Sequence, residues 1–164
     1  MPNHCHNRVT FYAQDSKDET WAQITKIKQM FEDENCFTQI IPEPDWLNTP
    51  LMSSDVPKYD WDTPLGKVGE LPMDVQGDYG ISRRFQSTGK ADDRWYDWRV
   101  QNWDTKWDAY DVEVIDEDHD CVEIQFNTAW SPPEAICRAL REQYPDVSIS
   151  WFYDEPGCEI AGYL

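Results

Sequence analysis

The stretch Tyr110-Asp111-Val112-Glu113-Val114-Ile115-Asp116-Glu117-Asp118-His119-Asp120-Cys121-Val122-Glu123-Ile124-Gln125-Phe126 decides the fold. Residues 110–114 and 122–126 each alternate apolar and polar side chains, the period of a half-buried strand. The polar run 116–120 between them reads as a turn. The spacing therefore predicts a β-hairpin with one buried face. Register is strongly specified there, because a slip of one residue would turn every apolar side chain toward water.

Working outward, Ser131-Pro132-Pro133-Glu134 has the form of a helix start. Ser131 is expected at the N-cap, Pro132 at the first helical position and Glu134 as the residue completing a capping box. The helix that follows is expected to bury Ile136, Ala139, Leu140 and Tyr144 and to stop at Pro145. Val147, Ile149, Trp151 and Tyr153 alternate as another strand. Glu155-Pro156-Gly157 then turns the chain, and residues 158–164 pair back as a terminal strand. Upstream, Tyr96, Val100, Trp103 and Trp107 fall on one face of a helix within residues 94–107, widened by Trp95 and Trp98. Near the start, residues 8–14 read as a strand. Ser16 and Glu19 have capping-box spacing, before a helix that buries Trp21, Ile24, Ile27 and Phe31 and frays near Asn35.

Residues 36–93 read differently. Pro42, Pro44, Pro50, Pro57, Pro64 and Pro72 interrupt them, and poor periodicity marks an insertion, mostly irregular, with room for a short helix or two. The chain is thus expected to be one α+β domain over residues 1–164. Its topology is ferredoxin-like, βαββαβ, with an extra C-terminal strand and a long Pro/Gly-rich insertion, residues 36–93, after the first helix. Both main helices cover one sheet face. Tyr12, Glu113, Glu123, Gln125, Ser148, Ser150 and Phe152 belong to the other.

Composition narrows the function classes. Of 164 residues, 32 are Asp or Glu and 14 are Lys or Arg, a net charge of −18. Aromatic residues make up 14%, including nine Trp, so the chain has the bulk for a core and is no acidic tail. Such charge repels phosphates, which disfavours direct nucleic-acid binding and favours basic proteins as partners. Cys5, Cys36, Cys121, Cys137 and Cys158 are odd in number and lack Cys-x-x-Cys spacing, the pattern of reduced thiols in a cytoplasmic protein. No run reads as a signal peptide or a membrane span.

Several motifs resemble those of the YubB-like group of phage and plasmid proteins, which has a ferredoxin-like domain. They are Pro2-Asn3-x-Cys5-x-Asn7, Trp95-Tyr96-Asp97-Trp98-Arg99, Asn102-Trp103-x-Thr105-Lys106-Trp107-Asp108, Thr128-Ala129-Trp130-Ser131-Pro132-Pro133 and Tyr153-x-Glu155-x-Gly157. The resemblance spans the first dozen residues and most of 94–162. It departs at Asp104, where Gly is expected, and at His4, where Trp is expected. It implies the fold and an origin on a mobile element, and it carries no catalytic residue.

Three candidate sites follow. The first is acidic: residues 104–123 hold nine acids against one Lys, and Asp111, Glu113, Asp116, Glu117, Asp118, Asp120 and Glu123 are expected to form a partner-binding surface. Such a surface would imitate a nucleic-acid backbone and inhibit a host defence complex, anti-CRISPR or anti-restriction, without being an enzyme. The alternative is a small-molecule or nucleotide pocket between the insertion and the domain, using Trp98, Arg99, Trp103, Lys106 and Trp107. A metal site at His4-Cys5-His6 is disfavoured because neighbours on an extended chain point to opposite sides. No metal and no cofactor is expected. His119, in an acidic turn, is expected to be exposed with a raised pKa.

Overall fold

The computed structural model describes residues 3–14, 17–46, 49 and 94–164. Two compact units divide the chain, one of Met1–Pro42 with Arg99–Leu164 and one of Glu43–Trp98. Most of the expected insertion, and Ser16, lie outside the described residues.

The first unit is built on an antiparallel sheet of β1 (His4–Ala13), β2 (Tyr110–Glu117), β3 (Cys121–Ala129), β4 (Val147–Glu155) and β5 (Ile160–Tyr163). The strand order is β2-β3-β1-β4-β5, so the expected ferredoxin-like arrangement and its extra terminal strand are both present. Helices α1 (Asp18–Glu32), α2 (Cys36–Ile40) and α4 (Glu134–Gln143) accompany the sheet; α3 (Arg94–Trp103) precedes β2. Alternation decides which side of each strand is buried. Val9 sits between Ile124 and Trp151, and Phe11 between Val122 and Ile149, all on the helix side.

Helix α1 turns Ile24, Ile27, Met30 and Phe31 inward, while the expected Trp21 is only half-buried and Thr20 takes the buried place beside it. Phe31 is the hub, with ring centroids 5.9 Å from Phe11, 5.2 Å from Phe126 and 6.4 Å from Trp151. Each such side chain is worth ~1.5–3 kcal/mol in burial alone. The body runs past the expected insertion boundary at residue 36. Asn35 takes a left-handed turn, φ 61°, and α2 then buries Cys36, Phe37 and Ile40 in the same core. Asp108 makes that short helix possible by accepting the Phe37 amide at 2.9 Å.

Two helix expectations are corrected. In the Trp-rich segment only Trp103 is core. Tyr96, Val100 and Trp107 are 44, 41 and 38% exposed, because α3 ends at Trp103 and the following turn takes Trp107 off the helical period. The Ser131 cap is also displaced: α4 begins at Glu134 with Pro133 at the N-cap position. Its free amide at Ala135 donates instead to Asp104 Oδ2 at 2.8 Å, while Ser131 Oγ donates to the Asp104 carbonyl. Asp104 thus caps a helix thirty residues on from outside it, from a backbone at φ 63°. That conformation is easy for Gly and strained for most side chains.

Buried polar groups join the strands beneath the helices. Asn7 Nδ2 donates to the Cys5 carbonyl at 3.1 Å and to Thr128 Oγ1 at 2.9 Å, and Asn7 Oδ1 accepts from Trp151 Nε1 at 3.1 Å. Thr128 Oγ1 donates on to the Ser131 carbonyl at 2.8 Å. Thr105 Oγ1 donates to the Ala129 carbonyl at 3.0 Å, extending β3 sideways. At the far end, the buried carboxylate of Glu155 accepts the Cys158 amide across the turn. A Cβ on Gly157 would press on the side chains of Asn3 and Glu155, which would have to shift to admit it.

The cap at Asp104 gives a testable ordering of variants. Asp104→Ala loses the cap and keeps the unfavourable φ, and is expected to cost about 1–2 kcal/mol in urea unfolding. Asp104→Gly loses the cap but relieves the strain, and is expected to stay within ~0.5 kcal/mol of the parent. Equal losses in the two variants would show that Asp104 does not cap α4.

Candidate functional site

The acidic hairpin owes its geometry to β2, which among the described residues is an edge strand paired with β3 alone. Its register slips twice. Tyr110 faces Asn127 and Glu113 faces Gln125; Val114 faces Ile124 but Asp116 faces Glu123. Each slip fits two residues against one, a β-bulge, which bends and twists an edge and guards it against stray pairing. Asp111, at φ 52°, lies in the first bulge.

The second bulge changes the phase of the strand. Simple alternation would put Glu117 on the side of Glu113. Instead Asp116 shares a side with Glu123, and Glu117 turns to the helices, where Lys28 Nζ of α1 meets it at 2.6 Å. Glu123 is paired as well, with Arg8 Nε at 2.6 Å. Of the seven expected acids, then, Glu117 and Glu123 are neutralised inside the molecule. Asp111, Glu113, Asp116, Asp118 and Asp120 form an acidic line along the edge and its tip, all of them exposed except the half-exposed Asp120. Exposed ion pairs such as Lys28–Glu117 contribute little to stability, but they decide which carboxylates remain for a partner.

At the tip, Asp118 Oδ1 accepts the His119 amide at 2.7 Å and lies 2.9 Å from His119 Nδ1; Asp120 is 3.7 Å from the other ring nitrogen. The hydrogen bond to Asp118, with the nearby charge of Asp120, raises the His119 pKa above its ordinary 6.5, as the sequence suggested. The same bond holds Asp118 below its ordinary value. These three side chains are the group among the described residues whose ligand atoms lie close enough together to hold a metal ion. They are solvent-facing, and an acidic tip has this form without any ion.

The expected division of His4-Cys5-His6 holds. Cys5 is fully buried and both histidines are exposed. His4 Nδ1 lies 2.7 Å from the Tyr110 hydroxyl, and His6 Nδ1 lies 2.7 Å from Asn127 Oδ1. All five cysteines are free. Burial is the first cause raising the thiols of Cys36, Cys121, Cys137 and Cys5, the last to about 11. Cys158 is raised chiefly by its hydrogen bond to Glu155. Thiols held so high supply little thiolate at neutral pH.

Most of the insertion that would wall the alternative Trp pocket lies outside the described residues. Trp103 is fully buried, its ring packed edge-on against Phe37 at 5.8 Å and its Nε1 donating to the Ile41 carbonyl at 3.1 Å. It belongs to the core, and the Arg99 guanidinium lies 4.9 Å over it. Lys106 lies 4.5 Å over Trp107, which packs against Tyr110. Trp98 and Trp46 both belong to the second unit, where their rings pack edge-on at 6.4 Å.

What the sequence reading missed is a depression of about 420 Å³ on the sheet face turned away from the helices, lined in part by Asp111, Glu113, Asn127 and Asp154. The signal was available: His6, Arg8, Gln125 and Phe152 are the polar-side positions of their strands.

The acidic tip makes a pH prediction. Because the folded pKa of His119 is raised, its pairing stabilises the hairpin fully below pH 6.5 and is lost as the pH climbs through the raised value. In an NMR titration the His119 ring should show a midpoint above 6.5, and Asp118→Asn should bring it down. A midpoint unmoved by that substitution would remove Asp118 as the cause.

Comparison with known proteins agrees with this architecture. No curated protein matches the chain. A crystal structure of protein api92 from Yersinia pseudotuberculosis is similar over 99% of this chain and 93% of that one, with a TM-score of 0.57 and 12% identity, a likeness of fold alone. No helix among the described residues is long and apolar enough to cross a membrane. Residues 102–164, which carry β2 to β5 and α4, match the family model described as the ferredoxin-like domain in Api92-like protein, and it is to that domain that this part of the chain is similar.

Proposed function

We propose that the chain is a non-enzymatic acidic interaction protein, carried by a phage or plasmid, that docks on a basic nucleic-acid-binding host protein by imitating a nucleic-acid backbone. A CRISPR effector or a restriction enzyme in the host cytoplasm is the kind of partner meant. The mobile-element origin rests on the resemblance of the Trp-rich and Ser-Pro-Pro motifs. The observation that carries the docking reading is the acidic line of Asp111, Glu113, Asp116, Asp118 and Asp120 on a folded chain of net charge −18.

Glu113 and Asp116 have no ion-pair partner among the described residues. At ~3.4 Å per residue the strand is roughly 25 Å long. That is about seven base-pair steps of a duplex, whose phosphates on one strand also advance ~3.4 Å per step. A guanidinium surface shaped for phosphates would find carboxylates over a comparable length. Opposed charge of this kind speeds encounter and makes association sensitive to salt.

The test is competition. A labelled DNA duplex bound to a purified CRISPR effector or restriction enzyme should be displaced by this protein at low salt and much less at high salt. The combined variant Glu113→Lys, Asp116→Lys, Asp118→Lys and Asp120→Lys should lose on the order of a hundredfold in potency, since close charge pairs couple by ~1.5 kcal/mol or more. Failure to displace nucleic acid from any of these proteins in dilute buffer, or a variant as potent as the parent, would falsify the docking reading.

A further inference from the structure

The depression on the outer sheet face shares Asp111 and Glu113 with the acidic line, but the rest of its lining is used by none of the roles above. Two rows of the ladder cross it. One runs Tyr110, Asn127, His6, Asp154, and the next runs Glu113, Gln125, Arg8, Phe152. Its volume, about 420 Å³, is that of a small-ligand cleft.

Hydrogen-bond logic fixes what the floor offers. Asn127 Nδ2 donates to Asp111 Oδ2 at 3.1 Å, and an ionised carboxylate only accepts, so the amide cannot be turned round. Asn127 Oδ1 therefore faces His6 Nδ1 at 2.7 Å as the acceptor, and His6 carries its proton on Nδ1. In the neutral ring Nε2 is then an acceptor. Among the described residues, Glu113 and Asp154 have neither an ion pair nor a hydrogen bond from their side chains. Arg8, the one Lys or Arg in the lining among the described residues, is engaged through Nε by Glu123.

The lining is therefore rich in acceptors, with an aromatic wall. Phe152 stands two residues from Asp154 on the same side of β4, its ring held by Tyr163 edge-on at 5.3 Å. A guanidinium is the complementary group: five donors in a plane, no acceptor, and a face that stacks on aromatic rings. We propose that this depression receives an arginine side chain of the basic partner, stacked on Phe152 and donating to Asp154 and His6 Nε2. The inference rests on the docking reading above and adds a residue-level contact that lies apart from the acidic tip.

The test uses the whole chain and the peptide acetyl-Gly-Arg-Gly-amide, with citrulline and lysine counterparts. The arginine peptide is expected to shift the side-chain amide resonances of Asn127 and Gln125 and the Phe152 ring in a saturable way. The citrulline peptide should bind about tenfold or more weakly, because it lacks the charge that strengthens the pair. The lysine peptide should also be weaker, lacking the planar face. Asp154→Asn combined with Phe152→Leu should weaken arginine binding by about tenfold or more, while Asp118→Lys with Asp120→Lys leaves it unchanged.

Equal binding of the citrulline or lysine peptide, or shifts confined to the turn at 118–120, would overturn the inference without recourse to any variant. The two readings also separate. If Asp154→Asn with Phe152→Leu leaves competition intact while reversal of the acidic line abolishes it, the docking reading stands and this one falls. If the arginine peptide saturates the depression but nothing is displaced from any effector, the depression is a guanidinium site and the docking reading falls.

Discussion

The side chain of Asn7 is the constraint on which the rest of this structure depends. It lies buried in the central strand, and its amide reaches both neighbours, Thr128 of β3 and Trp151 of β4. Burying an amide is costly unless its donors and acceptor are matched. Here the match is available in one register only, that in which Asn7 faces Phe126 on one side and Tyr153 on the other. From Thr128 the bonding continues to Ser131 and Asp104, so the start of α4 is referred back to the centre of the sheet. The aromatic hub around Phe31 supplies most of the burial, but apolar contact is non-directional. The polar joint gives it direction.

The same joint accounts for polar residues in the sequence motifs. Asn7, Thr105, Asp108, Thr128, Ser131 and Glu155 all come from them, and each is occupied holding backbone or another buried group in place. Their polar atoms are turned inward, so they hold the domain together. On the surface the two bulges of β2 sort the charge: one carboxylate goes to Lys28 on the helix side, and the rest line the outer face and the tip.

Much of this was legible in the residues. Strict alternation in 110–114, 122–126 and 147–153 gives the strands, and the polar run 116–120 gives the turn, because period two has few competing explanations over such lengths. The strand order follows from the topology. The misreadings share one cause, a tertiary partner that local sequence does not contain. Ser131 looks like a cap and is not one, because Asp104 arrives from elsewhere in the chain to do it. Tyr96 and Val100 share a helical face with Trp103, yet only the last meets the core. A short helix is expected somewhere in 36–93, but its place at Cys36 to Ile40 is set by Asp108, far along the chain. The phase change at Asp116 is visible as a break in alternation, but its result needs Lys28 to be placed.

The two margins of the sheet are unlike. The β2 margin is kinked twice and strewn with carboxylates, whereas β5 is four residues long, Ile160–Tyr163, without one charged side chain. Fibre growth by strand addition demands a receptive rim at both ends of every unit. Among the described residues the sheet offers one such rim at most, so a neighbour that zips onto β5 presents its own fortified margin to the outside, which disfavours stacking beyond a pair.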